Sequence, residues 1–237
     1  MTSTTMTETL GIVEELDATV VDWSDMDAVN RFNASLLSRV AEPANLKILV
    51  DRVLATPDLR EMCERHNLFN RLVLYSADER GFRIRLHVYH QPEIETIHDH
   101  RFPFTAYLLN GSYIHTTFEP KGDMYGQYDP TGAQDGGDTA YSEENFVETA
   151  CDKLERGDFY TINSDIYHTV EAEKDTVSLM LRGPAEKEFC LFVTPADGGI
   201  SNCISAENET NEVRTSKVLT DEELSGVVDF LKSKTLI

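Results

Sequence analysis

The chain has 237 residues, and its 42 acidic against 21 basic side chains give a formal net charge of −21, which repels polyanions and argues against a nucleic-acid or anionic-membrane partner. No run of about 18 apolar residues occurs, and Met1 to Thr9 lack the basic start and apolar core of a secretion signal. The cysteines, Cys63, Cys151, Cys190 and Cys203, form no CxxC pair, so reduced thiols in a soluble cytoplasmic protein are expected.

In chain order, Val13, Val20, Val21 and Trp23 suggest a short strand near the start. Met26, Val29, Phe32, Leu36, Leu37 and Val40 then recur at helical spacing and stop before Pro43. A further apolar set, Leu46, Ile48, Leu49 and Val53, leads to Thr56-Pro57. There Thr56 reads as an N-cap and Pro57 as the first helical residue, with Leu59, Met62 and Cys63 as the apolar face.

After Asn67 the texture becomes β, with short runs at 71–75, 82–90, 95–100, 105–109 and 112–118. Asn110-Gly111 between two apolar runs predicts a hairpin joining the strands on either side. The Gly- and Asp-rich stretch 119–140 predicts a long loop, a candidate lid. Strand texture resumes at 146–150, 159–162, 170–172, 176–182 and 188–194. Finally, Thr220-Asp221-Glu222-Glu223 opens an amphipathic helix through Leu224, Val227, Val228 and Leu231 with a capping-box pattern. The expected organisation is mainly β: one barrel over 70–200, an N-terminal extension over 1–69 whose helices pack on it, and a C-terminal segment over 201–237 with a helix.

Ile97-His98-Asp99-His100 is the chemical signal. In an extended strand His98 and His100 share a face and Asp99 takes the other. Paired imidazoles suit iron, zinc, nickel or copper, and a metal so held needs another ligand from elsewhere.

Two motifs, His98-Asp99-His100 followed by Gly111, and Gly157-x10-His168, together resemble the paired motifs of the cupin superfamily. The resemblance implies a single cupin β-barrel (double-stranded β-helix) with His168 as third ligand. The slot of the usual cupin glutamate is Phe104 or Thr105, which leaves a three-histidine centre and implies similarity to the cysteine dioxygenase group. Leu108-Leu109-Asn110-Gly111, Tyr160-Thr161-Ile162-Asn163 to His168-Thr169-Val170-Glu171, and Thr176 to Pro184 carry the same likeness. That family's crosslinking cysteine falls at Phe104 or Thr105, its supporting histidine at Met180 and its catalytic tyrosine at Arg182.

The resemblance implies Fe(II), with nickel, manganese, zinc and copper as alternatives, and a small-molecule substrate plus O2 as partners. Ser178, Met180 and Arg182 share one strand face, implied to be the metal-facing one, where the planar guanidinium of Arg182 suits a substrate carboxylate. Arg71, Arg83 and Arg85 are weaker candidates for that task, and Phe104, Thr105 and Tyr107 are further substrate-side candidates. Tyr107, Tyr160 and Tyr167 are candidate hydrogen-bond donors, Tyr160 being assigned a catalytic role. His87 and His90 are assigned structural or solvent-facing roles, while His66, near a helix end, and His115, past the predicted hairpin, are given no site role. The expected activity is a mononuclear non-haem iron oxygenase, monomeric or homodimeric; a metal-dependent lyase or isomerase and a non-catalytic ligand-binding cupin are the other readings.

Overall fold

Alternating apolar positions sort the middle of the chain into two antiparallel sheets, one of which buries both of its faces. The computed structural model describes residues 11–94, 96–121, 146–188, 190–193, 200–203 and 215–237. Its strands are β1 (Glu64–Arg65), β2 (Phe69–Ala77), β3 (Phe82–Tyr89), β4 (Glu93–Ile94), β5 (Phe104–Asn110), β6 (Ser112–Pro120), β7 (Phe146–Glu155), β8 (Phe159–Ile162), β9 (Tyr167–Ala172), β10 (Val177–Arg182), β11 (Cys190–Val193) and β12 (Ile200–Cys203).

One sheet has the order β1-β2-β3-β10-β5-β8 and the other β4-β9-β6-β7, while β11 and β12 form a separate ribbon. Strands β3 to β10 thus divide four and four between two sheets, the jelly-roll arrangement of a cupin-type double-stranded β-helix. Leu108 of one sheet packs with Tyr113, Val170 and Ala172 of the other, closing the barrel interior. No described helix is long and apolar enough to cross a membrane.

The predicted hairpin at Asn110-Gly111 is not formed: β5 pairs with β10 and β8, whereas β6 lies in the opposite sheet. The turn is instead a corner between sheets, pinned against the β9–β10 connection by an Asn110 Nδ2 donation to the Asp175 carbonyl at 2.8 Å. Gly111 has φ +75°, and a Cβ there would lie 2.9 Å from Thr176 Cα, so both conformation and close approach require glycine.

The helices are α1 (Ile12–Ala18), α2 (Met26–Val40), α3 (Pro43–Ala55), α4 (Pro57–Glu61) and α5 (Asp221–Ser233). The strand expected near the start is in part helix α1, because Ile12 and Leu16 fall at i and i+4 and bury a common face. Asp25 caps α2 by accepting from Ala28 N. Thr56 is extended ahead of Pro57 as expected, but its side chain makes no capping bond. The Thr220 capping box is formed.

Leu16, Leu37, Leu46, Leu49, Leu224 and Leu231 of the helices meet Leu72, Leu74, Ile84, Leu86, Leu179 and Leu181 of the large sheet in the main core. That sheet therefore turns its even-numbered β3 residues and odd-numbered β10 residues to the helices and the alternate set into the barrel. The candidate lid falls largely on 122–145, which lies outside the described residues.

Candidate metal centre

Residues 96–100 are not a regular strand; they are joined to β9 only by a bridge between His98 and His168. His98 N donates to the His168 carbonyl at 3.0 Å and His168 N returns a bond to the His98 carbonyl at 2.8 Å. Asp99 points away from both rings. Its Oδ1 accepts from Leu191 N at 2.7 Å and its Oδ2 from Lys187 Nζ at 2.6 Å. The histidine-bearing turn is thereby anchored to β9 by backbone and to β11 by a buried carboxylate.

One nitrogen each of His98, His100 and His168 lies within 4.8 Å of the others, and no carboxylate or thiol joins this group among the described residues. His100 Nε2 is 2.9 Å from His168 Nε2. Two imidazole nitrogens bound to one ion at about 2.1 Å and near right angles lie about 3 Å apart, so this spacing fits shared ligation. His98 Nδ1 is 2.8 Å from the Thr96 carbonyl, which places the proton on Nδ1 and the lone pair on Nε2.

Burial keeps these rings neutral. It lowers His98 to about 4 despite the raising effect of the Thr96 carbonyl. It also holds His100 and His168 well below the usual imidazole range, with neighbouring rings adding to the effect. Neutral imidazoles present lone pairs, the form a divalent cation requires. The donor set and its spacing therefore fit a metal ion.

His115, assigned no site role from sequence, stands directly behind His168. Its Nε2 lies 3.1 Å from His168 Nδ1, an arrangement that fixes the proton on His168 Nδ1 and leaves Nε2 for a ligand role. Burial lowers His115 to about 4. The ring of Tyr160 stacks on His115 at 3.9 Å, so Tyr160 supports the centre through His115. Alternation along β6 from the buried Tyr113 was the available signal for His115.

Phe104 packs edge-on against His100 at 4.7 Å between centroids, and Met180 clusters with Phe104, Ala106 and Ile162. Ser178 is buried on the same strand face as Met180, opposite His87. Thr105 and Tyr107 correct the expectation. They occupy the opposite face of β5, where Thr105 Oγ1 accepts from Asn33 Nδ2 of α2 at 3.0 Å and Tyr107 packs on the helical core.

The arginines are mostly engaged. Arg182 is not an open clamp: it donates to Asp78 Oδ1 and to the Gly183 carbonyl, each at 3.0 Å. Burial, with Arg83 nearby, lowers it to about 10. Arg83 donates to Ser76 Oγ at 3.1 Å and pairs with Asp78, and Arg71 pairs with Glu64. His87, expected to be structural or solvent-facing, is buried in the barrel and stacked on Phe69 at 4.5 Å; His90 is exposed.

No protein-family model matches the sequence, and no curated protein does. The chain is similar to solved structures of cupin superfamily proteins. Oxalate decarboxylase from Bacillus subtilis aligns at 13% identity over 52% of this chain and 27% of that chain, with a TM-score of 0.35. KdgF from Halomonas sp. aligns at 13% identity over 52% of this chain and 88% of that chain, with a TM-score of 0.34. An RmlC-like cupin from Shewanella frigidimarina aligns at 12% identity over 52% and 84%, with a TM-score of 0.34.

Proposed function

We propose that this chain is a mononuclear non-haem iron oxygenase related in chemistry to the cysteine dioxygenase group, acting on a small amino-acid-like or carboxylate-bearing substrate with O2. The observation that carries this reading is the set of buried His98 and His168 with half-buried His100, neutral and without an accompanying carboxylate among the described residues. Three neutral ligands leave a dication's charge uncompensated, so an anionic chelating substrate is favoured over a neutral one.

When bound, Fe(II) supplies the redox chemistry that couples an organic substrate to dioxygen. The protein's part is to hold and exclude. His115 sets the His168 tautomer, and Tyr160 backs His115. Phe104, Ala106, Ile162 and Met180 form an apolar wall beside His100, and an apolar lining strengthens the electrostatic contacts it encloses. Arg71, Arg83 and Arg182 supply positive potential on the substrate side, even while paired.

The test is metal analysis of anaerobically purified protein combined with an oxygen-consumption screen over amino acids and small thiols. About one iron per chain, lost in His168→Ala, is the expected result. Full occupancy by another metal with no iron, or turnover without oxygen uptake, overturns the oxygenase reading and favours a lyase or isomerase.

A further inference from the structure

Arg85 extends from β3 into the barrel, with Met180 opposite it on β10. It is 9% exposed, and its Nε has no hydrogen-bond partner. The arginines around it divide the available carboxylates: Arg71 pairs with Glu64, while Arg83 and Arg182 share Asp78. Glu64 is near enough to act on Arg85 through space, but it is bound to Arg71, and among the described residues no carboxylate forms an ion pair with Arg85. Arg71 and Arg182 each also keep a buried Nε without a partner.

A guanidinium does not shed its proton in a protein, and a buried charge without a counter-ion is strongly unfavourable. Buried orphan donors in a native site call for a specific explanation, an absent ion or ligand among them. The position of Arg85 indicates which. Its guanidinium carbon lies 5.3 Å from the centre of the Phe102 ring, against which Arg182 also stacks at 5.0 Å. The same ring is 5.6 Å from His100. Phe102 therefore touches the unpaired guanidinium and the three-histidine centre at once.

We propose that Arg85, with Arg71 and Arg182 beside it, is an anion subsite adjoining the three-histidine centre, and that the substrate is a small dianion, a short dicarboxylate in charge and size. One anionic group meets the metal and the other meets Arg85. The first half rests on the metal reading above; the subsite does not. The planar fork of Arg85 suits a carboxylate held through two parallel bonds.

The test compares the full chain, as purified and after metal stripping, with Arg85→Met and Arg85→Lys. Thermal unfolding and calorimetric titration are run with malonate, acetate and chloride at matched ionic strength. In metal-stripped wild type, malonate raises Tm beyond the chloride control. Arg85→Met has a higher Tm than wild type without malonate and loses the malonate increment, its malonate Kd rising at least tenfold. Arg85→Lys keeps the charge without the fork and binds malonate several-fold more weakly than wild type.

An equal malonate response in wild type and Arg85→Met overturns the subsite and leaves Arg85 as a packing partner of Phe102. Should Arg85→Met not fold, an unchanged malonate Kd in Arg85→Lys overturns it equally. In the Mn(II)-loaded chain, malonate binds at least tenfold more tightly than acetate if one dianion spans both groups; equal binding overturns the dianion assignment. If no metal binds but the Arg85-dependent malonate response persists, the subsite stands and the metal reading falls. Metal binding without that dependence gives the converse.

Discussion

His115 Nε2 sits 3.1 Å from His168 Nδ1, on the side of the imidazole turned away from the nitrogen shared with His100. Two neutral rings in this contact hold one proton between them, and its position decides whether His168 Nε2 carries a lone pair. Replacing His115 by alanine is expected to weaken metal affinity by about 10- to 100-fold while leaving all three ligands in place. His115→Gln, whose amide oxygen accepts from the same direction, recovers part of the loss. Metal titration of the two variants followed by absorbance or calorimetry checks both expectations, and equal affinity in wild type and His115→Ala would show that the tautomer is set elsewhere.

Asp99 supports the centre from the opposite side. Burial raises its carboxyl, and the Lys187 ammonium, 2.6 Å away, only partly offsets this. Asp99→Ala leaves the Leu191 N–H without its acceptor and leaves the half-buried Lys187 only the Ser164 carbonyl, so a loss of about 3 kcal/mol is expected. Urea unfolding measures it. A loss under about 1 kcal/mol would mean that the ribbon β11–β12 detaches easily and that Lys187 finds water.

Gly111→Ala tests the corner between sheets. The added methyl meets Thr176 at 2.5 Å to Oγ1 and 2.9 Å to Cα, in a backbone with φ +75°. Strain and overlap together predict a loss of about 2–4 kcal/mol. A thermal midpoint within a degree or two of wild type would show that the β9–β10 turn yields.

Much of this arrangement was legible in the sequence because it depends on short-range spacing. His98, His100 and His168 come together as the two motifs imply, and the α2, α3 and α5 boundaries follow apolar periodicity and punctuation. The corner was misread because Asn110-Gly111 reports a turn conformation but not which sheet receives the next strand. The partner of Arg182 was not legible for a related reason. That partner, Asp78, sits in the turn after β2, and only the three-dimensional path brings that turn to the end of β10. Phe104 and Thr105 were both open for one slot because the resemblance locates it only to within one residue, and one residue reverses a strand side chain: Phe104 lies against His100 and Thr105 against α2.

Acid stability should carry the mark of Glu64. Burial alone would push its carboxyl up, but the His66 ring, 3.3 Å away, and the Arg71 guanidinium hold it down at about 2 against an ordinary 4.5. Because the folded pKa is depressed, the contribution is complete above about pH 4.5 and is lost as pH falls toward about 2. Its size is on the order of 3 kcal/mol. Urea midpoints measured between about pH 6 and pH 2 should fall less steeply in Glu64→Gln than in wild type; parallel curves would assign the acid loss to other carboxylates.

The mutual backbone bonds of His98 and His168 also bear on the order of folding. His100 and His168 are separated by 68 positions in the chain, and loop closure over such a span is slow compared with forming any single hairpin or helix. The ligand set therefore does not exist until the two sheets have met. A cobalt or iron absorption band that develops during refolding would time the closure of the barrel, and an ion that binds only the closed form would hold it shut by mass action.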